Sequence, residues 1–391
     1  MSVEFHALEV SAVIVETPQC CSFELRIPPH LTEAYRYKAG QHLTFKLPWG
    51  GFELTRCYSL SSSPDLGEAM KIAVKRVDGG RISNWLNDEV KAGDTLLASV
   101  PEGRFILDPD TRPGTPLFLF AGGSGITPII SLLKSALHTT KRSITVLYAN
   151  QARDSVIYGG ELERLAQQYP DRVDLHHHVD SDGGYLTSDA IRALLHHSDV
   201  AEFYICGPEP FMELVENTLG EAGVHEELIY IERFVSPADP DRVPADDMDV
   251  ASLPTPATFS LWLGGRSRTV PYVKGKTLLQ CAQDAGLKPA HSCESGYCGS
   301  CMAHVNTGQV HMRTHEALSE RDLERGVALL CQSFPASAEP LELDGDSTSF
   351  RAASAVKSSY SKRASQLAAA ALFAFMVAGT LVLRLTQQVA P

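Results

Sequence analysis

Three cysteines crowded into the stretch HSCESGYCGSCMAHV, residues 291–305, constrain this chain more than any other feature. Cys293, Cys298 and Cys301 follow the pattern C-x4-C-x2-C, and Cys331 follows after twenty-nine intervening residues. That is the plant-type spacing for a [2Fe–2S] cluster. A structural zinc site usually pairs two short C-x2-C knuckles, and this sequence offers one. Ser295, Gly296, Gly299 and Ser300 are small enough to let backbone N–H groups turn toward cluster sulfurs, where such bonds help set the potential. Four packed or zinc-bound cysteines are the competing reading, which this spacing disfavours.

At 391 residues the chain is too long for a single core, so two or three domains are expected. A formal net charge of −13 argues against nucleic acid, whose phosphates need a basic face. Nine cysteines without a regular framework make a poor disulfide scaffold. The start, MSVEFHALEVSAVIVE, lacks the basic head and apolar core of a secretory signal. A cytoplasmic, reduced body is expected, in which clustered thiols favour metal.

Two polar linkers divide the chain. One, residues 237–256, is rich in proline and aspartate; the other, 346–366, is serine-rich and suits a flexible tether. Residues 1–110 read as short strands with turn signals and one helix, SNWLNDEV, a pattern expected of an antiparallel β-barrel. In 111–236 the apolar strands PLFLFAGG, SITVLYAN, VDLHHHV and EFYICGP alternate with helical stretches, which implies an α/β domain with a parallel sheet. Ligands bind such sheets at the carboxyl ends of their strands. Residues 257–345, with two strands and the helix KTLLQCAQDAG before the cysteine loop, form a third, small α+β module. His176, His177 and His178 lie on one strand, where neighbours point to opposite faces, so no metal site is expected there.

Two further motifs carry ligand chemistry. Arg56-Cys57-Tyr58-Ser59 is followed some twenty residues later by VKRVDGGRISNWL. Gly79 and Gly80 permit a tight turn, and Ser83 sits where a helix begins, so free N–H groups and a hydroxyl there suit a phosphate. AGGSGITP, residues 121–128, follows a strand and opens a helix. It is not G-x-G-x-x-G, but its glycines allow close approach to the backbone, Thr127 can cap, and Pro128 suits the first helical position. Cys206-Gly207-Pro208 also ends a strand, and an ordinary structural turn is the alternative for both pieces.

Taken together, these motifs resemble the ferredoxin–NAD(P)H reductase superfamily. The domain order is similar to that of oxygenase reductases with a C-terminal plant-type ferredoxin domain, as in phenylacetyl-CoA and ketosteroid oxygenation. The resemblance implies a β-grasp fold for the third module, with Cys293, Cys298, Cys301 and Cys331 as cluster ligands. It implies a flavin held by Arg56, Cys57, Tyr58, Ser59, Val74, Lys75, Gly80, Ile82 and Ser83, with Tyr58 against the isoalloxazine and Phe234 covering the ring. It places NADH or NADPH over Gly122, Gly123, Ser124, Gly125 and Thr127, with Cys206, Gly207 and Pro208 near the reacting carbon. FAD is expected over FMN, and Tyr58, Cys206 and Phe234 are the residues nearest the chemistry.

The expected activity is that of an oxidoreductase passing electrons from NAD(P)H through the flavin and the cluster, singly, to an oxygenase, hydroxylase or desaturase. A reductase for another iron protein, such as a hybrid-cluster protein, and a redox-sensing binding module are the alternatives. Leu367 to Leu383, LAAAALFAFMVAGTLVL, carries no charge. As a helix it spans about 25 Å at 1.5 Å per residue, somewhat short of the roughly 30 Å hydrocarbon core. Arg384 can cover the mismatch by snorkelling. A buried core helix is the alternative. Arg351, Lys357, Lys362 and Arg363 precede the segment, so a single-pass tail anchor at 367–386 is expected, with the body on the cytoplasmic face of the bilayer.

Overall fold

A computed structural model describes residues 4–346 apart from 109, 111, 196–200 and 234–252. Its first domain is built from β1 (Phe5–Thr17), β2 (Cys20–Arg26), β3 (His42–Trp49), β4 (Phe52–Ser59), β5 (Met70–Lys75) and β6 (Thr95–Ser99). They form an antiparallel sheet in the order β4-β3-β6-β1-β2-β5. Leu60, just past β4, bridges Ile72 of β5, so the sheet's two edges meet and a barrel results. Closure removes the unpaired edges that an open sheet would expose. Leu43, Phe45, Ile72 and Val74 fill the interior, and α1 (Arg81–Glu89) turns Ile82 and Leu86 inward.

The second domain alternates β7 (Leu117–Gly122), α2 (Ile126–Thr139), β8 (Ile144–Asn150), α3 (Gly159–Gln168), β9 (Val173–Val179), the short α4 (Asp180–Gly183) and α5 (Ser188–Leu194), β10 (Glu202–Cys206), α6 (Glu209–Glu221) and β11 (Ile229–Glu232). Its sheet is wholly parallel, ordered β11-β10-β7-β8-β9. Every residue of β7 and β10 is buried, as expected when helices cover both faces. The chain leaves β7 toward β8 on one side while β10 lies on the other, so the crevice between β7 and β10 is the switch point where ligands enter. In β9 none of His176, His177 and His178 is fully buried, and among the described residues no candidate metal group uses them.

Helix α2 joins these two domains. Ser131 donates to the Ser62 carbonyl at 2.6 Å, the hydroxyls of Ser135 and Ser63 lie 2.7 Å apart, and Lys134 reaches Glu68 at 2.7 Å. The Tyr158 hydroxyl bonds Ser22 and Ser61, each at 2.8 Å. Phe105 and Leu107, on the connecting chain, belong to the same apolar cluster as Ile129, Leu132 and Leu133. A shared core and buried polar pairs hold barrel and sheet together.

The third domain comprises β12 (Thr258–Leu263), β13 (Arg266–Pro271), α7 (Leu278–Asp284), β14 (Met302–Thr307), β15 (Val310–Met312), α8 (Glu320–Glu324), β16 (Val327–Leu329), β17 (Ser333–Pro335) and β18 (Leu341–Asp344). A mixed sheet, β13-β12-β18-β14-β16, pairs β12 with β18 in parallel, and α7 packs Leu278, Leu279 and Ala282 onto Phe259 and Leu261. Thr277 starts α7 with a capping box to Gln280. This is the β-grasp arrangement expected of residues 257–345.

Two expectations fall on residues outside those described: Phe234 over the flavin, and the tail anchor at 367–386. Among the described residues no helix is long and apolar enough to cross a membrane.

Candidate functional site

The cysteine loop runs from the end of α7 to β14 without regular structure. Gly296 and Gly299 hold φ values of +84° and +67°, and Glu294 also has positive φ, at 53°. A side chain at 296 would bring Cβ to 2.4 Å from Thr314 Cγ2, so glycine is required for space as well as conformation. These turns aim amides at sulfur. The N–H groups of Ser295 and Tyr297 donate to Cys293 Sγ at 3.4 and 3.5 Å, and that of Cys293 to Cys298 Sγ at 3.5 Å. The four thiols meet as two pairs, Cys293 with Cys298 and Cys301 with Cys331. Neighbouring thiols with an amide cradle fit a two-iron cluster. Hydrogen bonding from Cys293, Cys57 and His42 holds Cys298 well below the ordinary thiol range against the effect of burial, while the Cys331 contact and burial push Cys301 up.

The loop rests on the barrel. In the β3–β4 pair His42 lies opposite Ser59 and Thr44 opposite Cys57, so all four share one face. Thr44 Oγ1 is 3.3 Å from Cys57 Sγ and is hydrogen-bonded to the Ser292 hydroxyl. His42, Cys57 and Cys298 place one ligand-type atom each within 4.8 Å of one another. His42 Nδ1 also lies 3.7 Å from Glu232 Oε1, at the end of β11, and Glu232 contacts Ser59. Burial works against a charge on His42, but its contacts to Cys298 and Glu232 outweigh that and raise its pKa to about 10.

Arg56 and Tyr58 occupy the opposite face of β4, where Tyr58 tilts against Phe45 with ring centroids 5.8 Å apart. Of the expected flavin string, therefore, Cys57 and Ser59 turn toward the cysteine loop and Glu232, because neighbours on a strand alternate faces. The side chains of Val74 and Ile82 are in the barrel core, which leaves their backbones for a ligand. Ser83 sits in the first turn of α1, with its hydroxyl accepting from the Val77 amide at 3.0 Å. The turn at Gly79, Gly80 and Arg81 opens on a groove of about 620 Å³ lined also by Trp49 and Trp85.

The nicotinamide pieces come together at the switch point. A Cβ at Gly125 would lie 2.1 Å from the Cys206 carbonyl oxygen, and one at Gly207 would lie 3.0 Å from Gly122 Cα. The two glycine turns thus touch through their backbones. A Cβ at Gly123 would be 3.6 Å from Lys75 Nζ, which links the barrel's expected flavin residue to this turn. Thr127 and Pro128 depart from expectation. The 3₁₀ turn Gly123–Gly125 runs straight into α2, which starts at Ile126, so Pro128 is third in the helix and the Thr127 hydroxyl donates to the Ser124 carbonyl at 3.1 Å instead of capping. Pro128 remains harmless there, since first-turn N–H groups have no intrahelical acceptor. Cys206 is buried, and burial holds its thiol well above the usual range.

Several residues around these sites carried no signal in the sequence. His42, Thr44 and Glu232 are ordinary members of strands until the fold brings them to the cysteine loop and Cys57. Arg321 and Arg325, at and just after α8, reach Glu216 and Glu226 of the second domain, and Arg233 spans Glu209, Glu216 and Asp322.

A barrel, a parallel sheet and a β-grasp domain carrying paired cysteines define a modular nicotinamide-, flavin- and iron–sulfur-dependent oxidoreductase. Residues 8–106 match the oxidoreductase FAD-binding domain, 119–217 the oxidoreductase NAD-binding domain, and 263–336 the 2Fe-2S iron-sulfur cluster binding domain. The ferredoxin reductase component of 3-ketosteroid-9-alpha-monooxygenase from Mycolicibacterium smegmatis is 37% identical over 339 residues, 84% of this chain and 94% of that one. A component chain of 1,2-phenylacetyl-CoA epoxidase from Escherichia coli is 32% identical, covering 86% of this chain and 96% of its own. The structure of phthalate dioxygenase reductase aligns with a TM-score of 0.55 at 28% identity, over 87% of this chain and 98% of that one. The chain belongs to the ferredoxin–NAD(P)H reductase superfamily, in the branch with a C-terminal ferredoxin domain, and its cofactors are FAD, NAD(P)H and a [2Fe–2S] cluster.

Proposed function

We propose that this protein is the reductase component of an oxygenase, hydroxylase or desaturase, delivering single electrons to it from NAD(P)H. The observation that carries this is the convergence of three sites on one barrel: Tyr58 on one face of β4, the cysteine loop against Cys57 on the other, and Lys75 beside the Gly123 turn. Bound FAD would supply two-electron hydride chemistry toward NAD(P)H, and a bound [2Fe–2S] cluster would supply one-electron chemistry. The protein supplies placement and dryness. Arg56, Gly80 and the first turn of α1 bind the flavin's phosphates, and Tyr58 lies against its ring, with Val74, Lys75, Ile82 and Ser83 around it and Phe234 as its cover. Gly122 to Thr127 and Cys206 to Pro208 hold the nicotinamide end of the donor, and Cys293, Cys298, Cys301 and Cys331 ligate the cluster. No general acid or base is required.

Relatives named as components of ketosteroid, phenylacetyl-CoA and glycine betaine systems support an oxygenase as the acceptor. The uncharged run at 367–383 supports a tail anchor and an acceptor in the same membrane, with the serine-rich tether letting the two dock. Anaerobic titration of the purified full chain with NADH and then NADPH, followed by absorption and EPR, tests the core of this reading. A bleached flavin and a reduced-cluster EPR signal are expected; iron-free protein after reconstitution, or a cluster that NAD(P)H leaves oxidised, overturns it. Membrane fractionation of the full chain against a chain lacking residues 346–391 tests the anchor, and equal partitioning of the two refutes it.

A further inference from the structure

Adjacent residues on β4 serve different neighbours. Tyr58 packs with Phe45 toward the barrel, while Cys57 faces the third domain. There Cys57 Sγ lies within 4.8 Å of Cys298 Sγ, and Thr44, its cross-strand partner, holds Cys57 Sγ at 3.3 Å and the Ser292 hydroxyl on its other side. Ser292 immediately precedes Cys293, so the barrel grips the loop at its first cysteine. His42, two residues before Thr44 on the same face, completes the seat beside Cys298. Nothing about cluster ligation needs a fifth thiol in this position. The four-cysteine set is complete within the third domain, and Cys57 comes from another domain across a buried boundary.

We propose that Cys57 is a positioning residue for the cluster, its S–H directed at the ligand sulfur of Cys298 and clamping the loop against β4 directly behind Tyr58. A thiol S–H is a weak donor, while ligand thiolates act only as acceptors. Hydrogen bonds to ligand sulfurs spread their charge and favour the reduced cluster, which carries one more electron. Thr44 fixes the direction of that thiol. The barrel would then tune the cluster's potential only while the third domain is docked, at the point where the flavin residue and the cluster loop share one strand.

This inference rests on the reading of the four cysteines as cluster ligands, and its test separates the two. The full-length holoprotein and its variants Cys57→Ala, Cys57→Ser and Thr44→Val are compared by iron content, EPR spectrum of the reduced cluster and cluster midpoint potential. Cys57→Ala should lower the reduced-to-oxidised ratio at a fixed potential by at most about fivefold, the full worth of one hydrogen bond, and alter the EPR g-values. Cys57→Ser, which keeps a donor, should return most of the shift. If Cys57→Ala does not accumulate as folded protein, Thr44→Val decides, since it frees the thiol without removing sulfur and should shift the potential in the same direction. Wild-type protein that assembles no cluster sinks the ligand assignment. A normal wild-type cluster with an unshifted potential and spectrum in Cys57→Ala, or in Thr44→Val where that variant decides, overturns the role of Cys57 alone.

Discussion

Arg321 Nη1 of the third domain lies 3.1 Å from Glu216 Oε1 of the second, and the other oxygen of the same carboxylate, Oε2, is 3.2 Å from Arg233 Nη2. One buried acid thus holds two arginines from different parts of the chain, and Arg233 also reaches Asp322 at 3.5 Å. Glu216→Gln leaves Arg321 with Glu226 and Arg233 with Glu209 and Asp322, so the loss is partly compensated. It should destabilise the protein by about 1 kcal/mol and loosen α8 in particular. Hydrogen exchange would show it: faster exchange at Leu323, Arg325 and Gly326, with β1 and β2 unaffected. Unchanged protection at those amides would mean that the arginines do not hold the third domain in place.

Gly125 is where the two turns of the nicotinamide site leave no room. The nearest atoms to an added Cβ are all backbone, the Cys206 carbonyl at 2.1 and 2.4 Å and the Gly207 nitrogen at 2.7 Å, so no side chain can rotate away. Overpacking of this kind typically costs about 1–3 kcal/mol. Gly125→Ala should force the β7 and β10 turns apart and weaken binding of the oxidised nicotinamide dinucleotide at least about tenfold, the effect of some 1.4 kcal/mol. Titration of the oxidised holoprotein with NAD⁺ measures this directly, and a dissociation constant within about twofold of wild type would refute the fit.

The cofactor motifs were legible in the sequence because each is local. A cluster imposes cysteine spacing on a single loop, and a strand–glycine–helix turn is written in consecutive residues. The parallel sheet showed itself in the unbroken apolar runs of β7 and β10. What the sequence hid is contact between distant segments: Thr44 with Ser292, His42 with Cys298, Arg321 with Glu216. Such pairs leave no periodicity, and an isolated threonine or arginine has many uses. The Arg-Cys-Tyr-Ser string was found, yet its division between two faces depends on the pairing register of β3 and β4. Pro128 misled for a related reason, since the 3₁₀ turn before it lets the helix begin two residues earlier.

Gly296 tests how strictly the loop must be shaped to take the cluster. At φ +84° an alanine is strained in its own backbone, and its Cβ would press on Thr314 Cγ2 at 2.4 Å and Gln332 Cγ at 3.0 Å. Gln332 follows Cys331, so the push falls on the fourth cysteine's neighbour as well as on the Ser295 and Tyr297 amides. Gly296→Ala should fold, because β-grasp packing lies elsewhere, and should hold less than about half the iron of wild type after reconstitution, as a strain of 1–3 kcal/mol implies. Full iron occupancy with an unaltered EPR spectrum would show that the cradle tolerates a side chain.

Alkaline pH should expose a different weakness, in the barrel. Cys20 on β2 is 1% exposed, and burial, aided by Glu16 and Cys21, raises its pKa from 9.0 to about 12. In the unfolded chain the thiol ionises near 9, whereas the native one stays protonated until about 12. Between those values the unfolded state binds fewer protons than the native state, so stability must fall as pH rises. The slope from this group alone is roughly 1.4 kcal/mol per pH unit, beginning near 9 and levelling above about 12. Cys20→Ala should flatten that part of the profile, measured by urea unfolding of the holoprotein at pH 8, 9 and 10 in comparison with wild type. Over the same range native Cys20 should resist alkylation while the unfolded chain is modified. Equal slopes for the variant and wild type, or ready alkylation of Cys20 in the native protein, would show that the thiol is not sealed between β1 and β5.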